Sequence, residues 1–158
     1  MQLHRISMVS MVAGTLCASA VQAQRVVADV TLDGVGVLKA SSVSFGVSNP
    51  GTSRLGGGMG TGKASMSDLK ITRDAGQYSA ALFINAASGK HFPRLTVDMV
   101  SPAGMKITLV DVVVTSDHYA TNNAGQIEET LTFDYAKIEF EMKGEAKTGY
   151  DVKANVKY

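Results

Sequence analysis

One cysteine, three histidines, three prolines and no tryptophan are all that this 158-residue chain holds of those residue types. A lone cysteine excludes a disulfide framework, and with three histidines it leaves too few soft ligands for a zinc site built from Cys and His alone. An excess of charge of one sign is also lacking. Fifteen Lys and Arg stand against 14 Asp and Glu, and no run of basic residues occurs, so nucleic-acid binding is not indicated. No apolar stretch is long and uninterrupted enough to span a bilayer comfortably. The length suits one modest domain.

The amino terminus is different in kind from the rest. Arg5 and the terminal amine precede the apolar stretch Ile6–Leu16, and small residues follow in Ala18-Ser19-Ala20 and Val21-Gln22-Ala23. This is the layout of a secretory signal, with cleavage placed between Ala23 and Gln24 and a second choice after Ala20. Cys17 follows Leu16 inside the apolar region, which does not suit a lipoprotein anchor, and it leaves with the signal. Removing residues 1–23, Arg5 among them, leaves 135 residues with 14 basic and 14 acidic side chains. The expected organisation is a signal over 1–23 and one domain over 24–158, exported to the periplasm or beyond, with no stable membrane insertion afterwards.

The remainder alternates with period two. Val26–Leu32 closes at Asp33-Gly34 and Ser42–Ser48 at Asn49-Pro50-Gly51, each a β-rich run ended by turn residues. Ala64–Thr72, Leu95–Val100, Met105–Ser116 and Ile127–Met142 continue the pattern, and the tail through Tyr150, Val152, Ala154, Val156 and Tyr158 reads as one further strand with a wet face. Leu131, Phe133 and Tyr135 fall on odd positions but Ile138, Phe140 and Met142 on even ones. The parity flips near Ala136-Lys137, which a β-bulge would accomplish, and a long bent strand is what a small barrel uses at its corners.

One segment breaks this period. Asp74 followed by Gln77 has the look of a helix cap, Ala80, Phe83, Ile84 and Ala87 share a helical face, and Gly89 stands as the stop. These predict a helix over about Ala75 to Ser88. Its other side, with Tyr78, Leu82 and Ala86, carries no charge either, so the helix has two apolar faces. One face meets the barrel; the second meets either another subunit or a groove of the same domain. Tyr78, Leu82, Phe83 and Ala86 are the candidate interface residues.

Gly56 to Lys63 imitates a phosphate-binding loop. Position 64, however, is Ala where magnesium needs Ser or Thr, and a strand pattern rather than a helix follows. Seven glycines lie between Gly46 and Gly62, so the segment reads as a long contact loop. Asn49, Pro50, Arg54, Leu55, Met59 and Lys63 are its candidate contact residues. Catalytic constellations are weaker still. Ser116-Asp117-His118 are adjacent, and adjacent residues point apart. His118 reads as a loop residue, Lys90 and His91 as complements to helix carbonyls, and Glu128-Glu129 as carboxylates on opposite faces of a strand. No catalytic residue, metal or cofactor is assigned.

Several ordered landmarks resemble a known family. Ser44-Phe-Gly-Val-Ser-Asn-Pro50, the glycine loop, Ser67-Asp-Leu-Lys-Ile-Thr-Arg73, Ala87-Ser-Gly-Lys-His91, Val110–Ser116, Glu129–Ile138 and Thr148–Asn155 together look like Hcp, the haemolysin-coregulated protein of type VI secretion. The resemblance implies a mainly β (α+β) fold, a compact barrel of two antiparallel sheets with one flanking helix. It also implies a non-enzymatic subunit that forms six-membered rings, with the 49–62 loop reaching a neighbouring ring and small effector proteins carried in the lumen. The signal departs from the family pattern, because tube subunits are cytoplasmic before firing. The leading expectation is a secreted ring- or tube-forming subunit; the alternative is an exported binding module with the same barrel and no tube role.

Overall fold

The computed structural model describes residues 25–49, 63–102 and 104–158. In chain order these form β1 (Ala28–Leu32), β2 (Gly36–Ala40), β3 (Ser42–Ser44), β4 (Val47–Ser48), β5 (Ser65–Met66), β6 (Leu69–Asp74), α1 (Ser79–Ser88), β7 (His91–Met99), β8 (Met105–Thr121), β9 (Ile127–Met142), β10 (Thr148–Asp151) and β11 (Val156–Lys157). All strand pairings are antiparallel. The main sheet runs β11-β10-β9-β8-β7-β1-β2, with β6 and β3 branching from β9, and β4 with β5 makes a separate two-stranded ribbon.

The sheet closes because one strand direction serves two neighbours. β2 runs into β3 through Ser41, whose backbone N–H donates to the Thr72 carbonyl at 2.8 Å on β6. On the far side β9 pairs with β6 over Leu69↔Phe133 to Asp74↔Glu128, and then with β10 over Tyr150↔Ile138 and its neighbours. The circuit β1-β2-β3-β6-β9-β8-β7 thus encloses the core of Val30, Leu38, Leu69, Ile71, Leu95, Val97, Ile107, Leu109, Leu131 and Phe133, all buried. Each of these is one of the inward positions of an alternating strand, which is why a period-two sequence produces a closed wall without an exposed apolar face.

The parity flip in β9 is present, but its device is different from an inserted residue. Val112 pairs with Tyr135 and Val110 with Lys137, so the register is the same on both sides of Ala136. β7 and β8 flip at the same level: Phe92 and Leu95 are both buried, as are Val112 and Leu109. The row between them is Pro93, Asp111 and Ala136; Pro93 has no N–H to give to a ladder, and Asp111 stands at φ 54°. Three neighbouring strands therefore kink along one line, which turns the sheet while keeping apolar side chains inward. The one register shift between β8 and β9 lies elsewhere, between Val114 and Ser116.

Other expectations need correction. The helix begins at Ser79, not near Ala75, because Asp74 is the last residue of β6 and pairs with Glu128. Tyr78, at φ 75°, occupies the cap position without a side-chain cap. Its ring lies against Gly36, where an added Cβ would stand 2.7 Å from the phenol oxygen. The stop at Gly89 holds, with φ 63° and its N–H on the Ala86 carbonyl. The tail is a hairpin rather than one strand: the Asp151 carboxylate accepts from the Ala154 N–H at 2.7 Å, and Asn155 at φ 58° turns the chain back. β2 is not evident from the pattern, and the ribbon β4-β5 splits two stretches that read as continuous strands.

Candidate assembly surface

Two places outside the core present apolar surface on a rigid support. The first is α1. Leu82 is the helix residue that is fully buried, at 0% exposure, and Tyr78 and Ala86 pack partly against the same core. Three of the four candidate interface residues thus face their own barrel. Phe83 faces outward at 51% exposure, next to Ile84 at 63%. The Phe83 ring leans on Tyr119 of β8, with centroids 6.4 Å apart. The outward face is therefore Phe83 and Ile84, with Ala80 and Ala87 exposed beside them.

Beneath the start of α1 lies a polar cluster that fixes this face in place. Arg73 and Glu129 are both buried, with Arg73 Nε 2.6 Å from Glu129 Oε2. Arg73 Nη2 also donates to the Gln77 carbonyl at 3.0 Å and to Ser79 Oγ at 2.8 Å. Ser79 Oγ donates to Glu129 Oε2 at 2.7 Å and accepts from the Gly76 N–H. Tyr119 completes the cluster, its hydroxyl 3.0 Å from Glu129 Oε1 and 3.1 Å from both Asp117 Oδ2 and the Ser79 carbonyl. Burial, followed by the charge of Glu129, pushes the Tyr119 phenol well above its ordinary value. A buried ion pair of this kind is tolerable because nearly every remaining hydrogen-bonding valence is met. Arg73 is in phase with Leu69 and Ile71, and Glu129 with Leu131, Phe133 and Tyr135. Two opposite charges at inward positions of strands are a signal that the sequence does contain.

The second place is the ribbon. Val47↔Met66 and Ser48↔Ser65 pair, and the Ser67 N–H and hydroxyl both reach the Gly46 carbonyl. Its base packs on the barrel through Phe45, whose ring centroid lies 5.6 Å from that of Phe140. Phe45, Gly46, Val47, Met66, Tyr135, Ile138 and Phe140 line an apolar recess there. Tyr135 donates its hydroxyl to the Ser67 carbonyl at 3.0 Å, and burial, followed by Asp68 and Asp134, pushes its phenol up to about 12. Asn49 and Lys63, both exposed, stand at the two ends that the ribbon brings together. Pro50, Arg54, Leu55 and Met59, and the cleavage pair Ala23 and Gln24 with the signal itself, lie outside the described residues.

The histidines and Ser116 do not converge. His118 is part of β8 rather than a loop and is exposed, while Asp117 turns to the other side of the strand toward Glu129. His91 opens β7 instead of capping the helix, and its Nδ1 lies 2.8 Å from Asp111 Oδ1 with both side chains largely in solvent. Lys90 meets the helix end only through its backbone N–H on the Asn85 carbonyl, and its ammonium lies over the Phe92 ring. Among the described residues no group of three Asp, Glu, His or Cys is placed to hold a metal ion, and no helix is long and apolar enough to cross a membrane.

The same arrangement of strands occurs in solved structures. A type six secretion system protein matches with a TM-score of 0.76 at 23% identity, covering 85% of this chain and all of that one. Hcp1 from Salmonella typhimurium matches with a TM-score of 0.68 at 23% identity over 84% of this chain and 99% of that chain. A type VI secretion system effector from Yersinia pestis gives 0.67 at 18% identity over 79% of this chain and 99% of that chain. These identities establish the fold alone. No curated protein matches the sequence. The sequence model of the family described as type VI secretion system effector, Hcp, matches residues 30–142, from within β1 to the end of β9, and the chain therefore belongs to the Hcp family.

Proposed function

We propose that this protein is a non-enzymatic, ring-forming subunit of the Hcp type, whose rings stack into a tube able to carry small effector proteins. The carrying observation is the family match over residues 30–142, which takes in almost the whole barrel together with α1. Two features of the surface support it. α1 turns Phe83 and Ile84 outward from a helix that Leu82 and the Arg73–Glu129 cluster hold rigidly, which suits a contact between neighbouring subunits. The β4-β5 ribbon projects both ends of the 49–63 segment from the barrel, so Asn49, Pro50, Arg54, Leu55, Met59 and Lys63 are assigned to contacts between rings.

The segment over 1–23 favours a second reading, in which an exported barrel binds a protein partner in the periplasm or outside without building a tube. One measurement on full-chain protein separates the readings, and a second tests the export that both share. Light scattering on a sizing column is expected to give one discrete species of six copies, and a folded monomer would favour the binding module. Mass spectrometry of protein recovered from the periplasm and medium is expected to find Gln24 as the first residue; an intact Met1 terminus on protein confined to the cytoplasm would remove the export assignment.

A further inference from the structure

The cluster under α1 has fewer hydrogens than acceptors. Tyr119 has a single hydroxyl hydrogen, yet three acceptors surround it: Glu129 Oε1 at 3.0 Å, Asp117 Oδ2 at 3.1 Å and the Ser79 carbonyl at 3.1 Å. Glu129 already receives Arg73 Nε and the Ser79 hydroxyl on its other oxygen, so it is the better supplied of the two acceptors. With both carboxylates ionised, Tyr119 could satisfy only one of them, and the other would face the phenol oxygen with no hydrogen between. Asp117 is the poorer anion of the two. Its Oδ1 is buried and, among the described residues, has no hydrogen-bond partner, and an unsatisfied buried oxygen is costlier when it is charged.

We infer that Asp117 is the protonated partner of Tyr119 when α1 is seated on the barrel, and that loss of this proton loosens the seat of the helix. Both carboxyl groups then have a hydrogen bond to Tyr119. Asp117 donates to the Tyr119 oxygen, Tyr119 donates to Glu129, and Arg73 and Ser79 donate to the other Glu129 oxygen. The charges facing Asp117 come from three strands: Glu129 on β9, Arg73 on β6 and His118 beside it on β8; α1 contributes the Ser79 hydroxyl and carbonyl. Burial, then repulsion from Glu129, raises the Asp117 carboxyl from 3.8, against smaller opposing effects of Tyr119, Arg73 and His118. A carboxyl whose folded value is raised binds its proton more tightly when the helix is seated. Its contribution is therefore greatest in acid and is lost as pH rises from the unfolded value through the folded one. The device acts within one subunit, whichever way subunits assemble.

Hydrogen exchange of the α1 amides in full-chain protein tests this, compared between wild type and Asp117→Asn at each pH from about 4 to about 8 so that intrinsic exchange cancels. Asparagine offers an N–H to Tyr119 at every pH. The wild-type opening constant is expected to rise relative to the variant by up to about tenfold per pH unit until Asp117 has titrated, then to level off. A ratio that does not change with pH overturns the inference, as does a variant less protected than wild type throughout. Should the variant fail to fold, carboxyl-carbon NMR of aspartate-labelled wild type decides: an Asp117 midpoint above 3.8 supports the shared proton, and one at or below it refutes it.

Discussion

Two adjacent helix residues should respond to substitution in opposite ways. Leu82 is fully buried, whereas Phe83 is 51% exposed. Leu82→Ala removes three carbons, about 2.4 kcal/mol at ~0.8 kcal/mol per buried methylene, and the cavity left beneath a helix pinned at its start by Ser79 brings the expected cost to about 3 to 4 kcal/mol. For a domain of this size that lowers the melting temperature by about 10 °C, while subunits that remain folded should still associate. Phe83→Asp buries no new charge in the isolated subunit and should shift the melt by less than about 1 kcal/mol. At an interface it places a carboxylate in an apolar contact, so oligomers are expected to dissociate. Thermal melts by circular dichroism, with light scattering on the same samples, read both quantities. A Phe83→Asp protein that unfolds, or one that stays both folded and oligomeric, would refute the assignment of this face, and an unchanged melt for Leu82→Ala would refute the docking of α1.

Three further predictions concern the barrel. Arg73→Met alone is expected to destabilise by about 3 to 5 kcal/mol by stranding Glu129, while Arg73→Met with Glu129→Met recovers much of the loss; urea titrations of wild type, both single variants and the double give the coupling. Gly36→Ala places a Cβ 2.7 Å from the Tyr78 phenol oxygen at a φ of 143°, so Tyr78 must leave its seat, at an expected cost of about 1 to 3 kcal/mol in the same titration. In alkali, Tyr135 keeps its proton in the fold to about 12 against 10.0 unfolded, so stability falls as pH rises between those values. Denaturant midpoints across that range should fall for wild type, and the part due to Tyr135 should be missing in Tyr135→Phe.

The strands are legible because each inward position repeats at period two: the pattern places β9 over Ile127–Met142, the limits it has in the structure. The helix stop is legible because Gly89 is the residue that takes a left-handed turn most readily. Its start is not. Asp74 and Gln77 imitate a cap, but the ladder to Glu128 claims Asp74 for β6, and a partner on another strand is invisible to local pattern. The flip at Ala136 is legible on one strand only; that Pro93 and Asp111 kink with it depends on pairings between distant segments. The pattern sorts α1 into the two faces it has, Ala80-Phe83-Ile84-Ala87 and Tyr78-Leu82-Ala86, but a helix apolar on both sides gives no clue which one meets its own barrel. The Arg73–Glu129 pair is readable from inward parity, yet charges in a solvated chain are ordinarily read as outward.

Ring assembly by this barrel of the Hcp family is read out by negative-stain imaging of full-chain protein from a single sizing peak. Discrete rings with six-fold symmetry and an open lumen are expected, lost in Phe83→Asp. Uniform particles the size of one barrel, in protein that is folded by circular dichroism, would contradict it.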